Sequence, residues 1–110
     1  MTIDVAIIGA ELVGTSLALA LEQRGLAVAL VAPEPPRPPA AEWDARIYAI
    51  SPSSVAFLER LGAWQAIDAT RLQPVARMAI CGDRPAAALA FSAYESGVAR
   101  LATIAESGRM

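Results

Sequence analysis

The stretch Ile7-Ile-Gly-Ala-Glu-Leu-Val-Gly14 decides how the chain is read. An apolar run, Ile3 to Ile8, leads into it and reads as a short buried strand, with Asp4 near its open end. Leu12 to Arg24 follows and reads as a helix. Leu12, Leu17, Leu19 and Leu21, with several alanines, give it a wide apolar face, and Gly25 stops it. Leu26 to Val31 is a second apolar run, read as another buried strand. Strand, helix, strand within about 30 residues predicts a right-handed parallel βαβ unit. A glycine-bearing turn between strand and helix is where a dinucleotide's pyrophosphate sits, because the helix N-terminus offers free N–H groups and partial positive charge. Gly9 permits the tight turn and Gly14 lets the helix lie close to the strand. The alternative is an ordinary strand-to-helix turn with two structural glycines.

The middle glycine of a Gly-x-Gly-x-x-Gly turn is here Glu11. That glycine exists so that backbone can approach the pyrophosphate. Two unit charges about 4 Å apart at an effective dielectric of about 20 repel by roughly 4 kcal/mol. A carboxylate at position 11 is therefore expected to weaken nucleotide binding between about fivefold, if it swings into water, and about a thousandfold. The acidic residue wanted at the end of the second strand is replaced by Ala32. Glu34, held between Pro33 and Pro35, is not expected to substitute.

Composition narrows the remaining chemistry. The chain has 110 residues, 55% of them hydrophobic and 18% charged, with a net charge of -2. This suits a packed core and argues against disorder. All nine basic residues are arginines, scattered without the stripe that tracks a nucleic-acid backbone, so no nucleic-acid partner is expected. Without histidine there is no Ser-His-Asp or Cys-His catalysis and no His-ligated metal; without lysine there is no P-loop lysine or Schiff base. The single cysteine, Cys81, lies in an apolar run and is expected to be a buried, inert thiol. The N-terminus lacks the basic start of a signal peptide. The longest apolar tract, Leu12 to Ala32, is broken by Glu22-Gln23-Arg24-Gly25, so no transmembrane segment is expected. The expected location is the cytoplasm, or the periphery of the inner membrane.

Five prolines within Pro33 to Pro39 forbid helix and central strand. They make either a stiff surface loop or a polyproline ligand for an adaptor role. Ser51-Pro52 starts a helix, with Ser51 as N-cap, Val55, Leu58 and Leu61 on one face and Gly62 at its end. Ala63 to Thr70 adds a turn or two. Val75 to Cys81 and Ala87 to Phe91 read as strands joined at Gly82-Asp83-Arg84-Pro85 into a hairpin. Leu101 to Met110 begins another element. The expected architecture is α/β: a Rossmann-like, dinucleotide-binding βαβ unit with a parallel sheet, then the start of a second, β-rich layer. Residues 1–72 are assigned to a partial nucleotide-binding domain and 73–110 to the beginning of a substrate-domain sheet.

The segment DARIYAISPSSVAFLERLGAWQAI, Asp44 to Ile67, resembles the flavin-dependent 2-polyprenylphenol hydroxylases of ubiquinone biosynthesis, in the wider p-hydroxybenzoate hydroxylase class. Asp-x-Arg, Ala-Ile-Ser, Ser-Val-x-x-Leu and Leu-Gly-x-Trp stand at that family's spacing. DVAIIGAELVGTSLALALEQRG resembles its first strand-helix-strand segment, and LATIAES its Leu-x-x-x-Val-Glu-x segment. The resemblance implies a monooxygenase that uses FAD, NAD(P)H and dioxygen to hydroxylate a polyprenylphenol. It implies that Gly9, Glu11, Val13 and Gly14 form the FAD pyrophosphate turn, that Ala32 stands at the adenosine contact, and that Arg46 lies near the flavin phosphate and ribityl chain. Without the resemblance, Arg46 reads as a surface salt bridge to Asp44 or Glu42. Family members run to several hundred residues and carry Asp-Gly and Gly-Asp flavin motifs that have no counterpart here. The chain is thus expected to be an N-terminal fragment, inactive alone and without a catalytic or metal residue of its own. The competing expectation is a folded remnant that binds no flavin and self-associates through an apolar face left bare.

Overall fold

The computed structural model describes residues 1–35, 37, 38 and 40–110, with the side chain of Arg109 excepted. The proline-rich expectation for Pro33 to Pro39 therefore falls partly, at Pro36 and Pro39, outside the described residues. The elements run β1 (Val5–Ile8), α1 (Leu12–Glu22), β2 (Val28–Val31), β3 (Ile47–Ile50), α2 (Pro52–Arg60), β4 (Gln73–Val75), β5 (Arg77–Cys81), β6 (Ala88–Ser92) and β7 (Ala102–Glu106). Single 3₁₀ turns lie at Trp64–Ala66, Ala69–Arg71 and Ser107–Arg109.

The expectation of an α/β, Rossmann-like fold on a parallel sheet is corrected. Among the described residues the strands form three separate small sheets, of which two are antiparallel. Parallel pairing is confined to β1 and β2, in the register Val5↔Val28 to Ile8↔Val31 with α1 between them. Asp4 fastens the start of this pair: its N–H donates to the Ala27 carbonyl at 2.8 Å, and its carboxylate accepts from the Ala27 N–H at 2.8 Å. The physical reason for the correction lies downstream of β2. A parallel sheet grows by repeated crossovers that cover both faces, whereas here the chain leaves along the proline-rich segment. Its next strand, β3, pairs antiparallel with β7, and β7 also pairs antiparallel with β4, giving the order β3-β7-β4.

Burial follows the same division. The core is Ile50, Val55 and Ala105, with Leu12, Trp64, Leu72 and Met110 packed on it. β7 is the most buried strand, with Ala102, Thr103, Ala105 and Glu106 all enclosed. β1 and β2, read from sequence as buried, are only half-covered: Ile8 is 89% exposed, Val31 52%, and α1 has no fully buried residue. Few elements are present to cover them. The Cα radius of gyration, 17.3 Å, exceeds the roughly 13 Å of a compact domain of about 100 residues.

Several local expectations hold. Ser51 caps α2, its side chain accepting from the Ser54 N–H, and Pro52 opens the helix. Val55 and Leu58 are buried on its inner face. β5 and β6 form the hairpin, in the register Arg77↔Ser92 to Cys81↔Ala88. Cys81 is exposed, however, because neither face of this two-stranded ribbon is covered at its tip.

Candidate functional site

The turn after β1 is shaped by its two glycines. Gly9 has φ +111°, a conformation L side chains rarely adopt. A Cβ on Gly14 would run into the carbonyl oxygen of Gly9. Position 14 therefore has to be glycine if the first turn of α1 is to lie this close to the end of β1. Glu11 is the N-cap, in extended conformation, and its side chain makes no capping hydrogen bond. Its carbonyl accepts from the Thr15 N–H at 2.9 Å and from Thr15 Oγ1 at 2.8 Å. The first amides of α1 are thus not satisfied by that cap, and they keep the anion affinity of an open helix N-terminus.

A cleft of about 720 Å³ opens beside this turn. Its walls include Gly9, Glu11, Ala32, Glu34, Arg37 and Arg46, with Ser107, Gly108 and Met110 closing another side. Four residues singled out from sequence, Gly9, Glu11, Ala32 and Arg46, are therefore brought together from three separate stretches. Val13 and Gly14 are not on the wall: Val13 is 78% exposed and Gly14 lies under the turn against Gly9. Glu34, not expected to substitute for the acid missing at position 32, also lies on the wall, where its Oε2 pairs with Arg37 Nη2 at 2.7 Å.

Arg46 lines the cleft and also pairs with Asp44, Nη2 to Oδ2 at 3.4 Å. The salt-bridge reading of this arginine thus finds its partner in Asp44 rather than Glu42. Asp44 folds the segment back on itself: Oδ1 accepts from the Arg46 N–H at 2.9 Å, and Oδ2 from the Gly108 N–H at 3.2 Å. The Arg46 N–H holds the Asp44 carboxyl below its usual range, against the pull of desolvation, and the Arg46 guanidinium and Gly108 N–H add to the effect.

Behind Asp44 is a cluster that the sequence reading did not find. Glu106, 3% exposed, receives a two-pronged contact from Arg71: Nε to Oε1 at 2.6 Å and Nη2 to Oε2 at 2.9 Å. Glu106 Oε2 also accepts from the Asp44 N–H at 2.7 Å. Arg71 Nη2 donates to the Glu42 carbonyl at 3.0 Å, and the guanidinium lies 3.7 Å from the centroid of the Trp43 ring. The available signal was a glutamate inside the apolar strand run Ala102-Thr-Ile-Ala-Glu106, which requires a buried cationic partner.

Among the described residues no group of three His, Cys, Asp or Glu side chains could hold a metal ion. Nor is any helix long and apolar enough to cross a membrane. No protein-family model matches the chain. The chain is similar to 3-demethoxyubiquinol 3-hydroxylase of Escherichia coli (strain K12), at 43% identity over 77 residues. That match covers 68% of this chain and 20% of the relative, so the chain spans about a fifth of that protein's length.

Proposed function

We propose that this chain carries the nucleotide-phosphate side of a ring hydroxylase acting on a polyprenylphenol in ubiquinone biosynthesis, with FAD as the cofactor and NAD(P)H as the reductant of the whole enzyme. One observation carries the reading: Gly9, Glu11, Ala32 and Arg46 meet at one cleft. The similarity to a 3-demethoxyubiquinol hydroxylase supports the substrate class.

The backbone suits a pyrophosphate. The turn at Gly9 is open, a Cβ there meeting nothing within 4 Å, and the first amides of α1 point out of an uncapped helix end. Arg46 supplies a planar fork for a phosphate oxygen, in competition with Asp44. Glu11 opposes an anion at the same wall, and the Ala32 side chain has no polar atom for a ribose hydroxyl. When bound, a flavin would supply the oxygen-activating redox chemistry. These residues would bind and orient it, and none of them transfers a proton or attacks substrate.

The test is a titration of the purified chain with FAD. Glu11→Gly is expected to tighten binding by between about fivefold and a thousandfold, and Ala32→Glu on that background to tighten it further. A chain that takes up no FAD in either form removes the cofactor from the reading.

A second reading, a flavin-free remnant that self-associates, is favoured by the bare apolar side chains Ile8, Leu17, Leu89 and Phe91. Size-exclusion chromatography with light scattering separates the two. A strict monomer at high concentration ends this second reading.

A further inference from the structure

The Arg71–Glu106 pair is expensive to bury and poorly explained as a source of stability. Two desolvated charges seldom gain over apolar residues of the same volume, and such pairs are best understood as fixing one geometry among several. The geometry fixed here is that of three consecutive residues. Arg71 holds the Glu42 carbonyl and covers the Trp43 ring, while Glu106 holds the Asp44 N–H. Asp44 in turn holds the Arg46 N–H and that of Gly108, and the Ser107 N–H donates to the Arg46 carbonyl at 2.8 Å. Every link in this chain of contacts ends at the segment that carries Arg46 to the cleft. Among the described residues these are the contacts that hold the segment behind Arg46, whose own side chain is 73% exposed.

We infer that Arg71 and Glu106 are positioning residues: the buried pair sets segment 42–46 and so places the Arg46 guanidinium at the cleft wall. The functional consequence rests on the nucleotide-phosphate reading above; the mechanical one does not. The pair joins a 3₁₀ turn to the buried β7 strand, so the cleft wall is referenced to the core rather than to the exposed loop it belongs to. A Lys at position 71 would keep the charge but could not fork across both carboxylate oxygens or stack on Trp43 in the same way.

The experiment uses the whole chain and the double variant Arg71→Met with Glu106→Leu, which removes both charges together. Amide exchange followed by NMR is expected to speed up at least about tenfold at Arg46 and Gly108, while the β1–β2 amides keep their protection. Unchanged exchange at Arg46 and Gly108 overturns the inference. In FAD titrations the double variant is expected to bind about tenfold more weakly, and Arg46→Ala added to it to cost less than about twofold more, because both changes remove the same contact. Fully multiplying losses would mean that the pair acts elsewhere, and the inference falls. If neither the unsubstituted chain nor its Glu11→Gly form takes up FAD, the nucleotide reading fails and the exchange data alone decide the positioning role. Should the double variant not fold, Arg71→Lys is read at the same two amides, with the same expected and overturning results.

Discussion

The β1-α1-β2 start and the β3-β7-β4 sheet are both written in apolar residues, yet they use them differently. In the first, shape comes from local backbone demands: a positive φ at Gly9 and a bare Cα at Gly14 against the Gly9 carbonyl. Its apolar side chains stay largely in water, as at Ile8, Val13 and Val31. In the second, shape comes from burial, with Ala105, Ile50 and Val55 enclosed and Glu106 tied to Arg71. A glycine turn can thus be fixed with little core behind it, and a core can form where no glycine dictates the backbone.

The sharpest way to break this contrast is Glu106→Leu alone. It strands the Arg71 charge at 12% exposure, and the expected loss is about 3–5 kcal/mol in urea or thermal unfolding. A loss below about 1 kcal/mol would show that the pair is wetter than its geometry indicates. Next in size is Gly14→Ala. Helix propensity alone favours alanine by about 1 kcal/mol, but the new methyl meets the Gly9 carbonyl, and the net expectation is a loss of about 1–3 kcal/mol. A stabilised variant would mean that the turn yields and that the close approach is not required.

A local, smaller effect concerns pH. The folded Asp44 carboxyl titrates below its ordinary value of 3.8. Its contribution is therefore complete above that value and is lost as pH falls through the lower folded one. The Arg46 and Gly108 amide resonances should shift together in that acid range and stay constant from there to neutrality. Independent movement of the two would separate Asp44 from one of its donors. Smallest of all is Val13→Ala, at a position 78% exposed, with an expected change within about 0.5 kcal/mol. A larger loss would show that the helix face is covered in solution, and would erase the difference between the two regions.

What was legible in the sequence was what the backbone enforces over a few residues. Gly9 and Gly14, the Ser51-Pro52 start of α2 and the Gly82 to Pro85 hairpin all announce themselves locally. The larger architecture was not legible. An apolar run reads as buried whether or not a neighbour exists to bury it, so Ile8, Val31 and Cys81 were placed inside. The alignment of Ile50 with Thr103 depends on contacts between distant segments, and no spacing rule points to it. At the site, Gly9, Glu11, Ala32 and Arg46 were found individually and do converge. Arg71 and Glu106 went unseen because the one hint, a glutamate closing the apolar run of β7, does not say which distant arginine pairs with it.

The central place of β7 bears on how the chain is made. A ribosome delivers Ile47–Ile50, α2 and Gln73–Val75 well before Ala102–Glu106, so the two outer strands emerge with nothing to join them. Until that middle strand joins them, the newly made polypeptide keeps two unpaired edges, and chaperone demand should persist until it does.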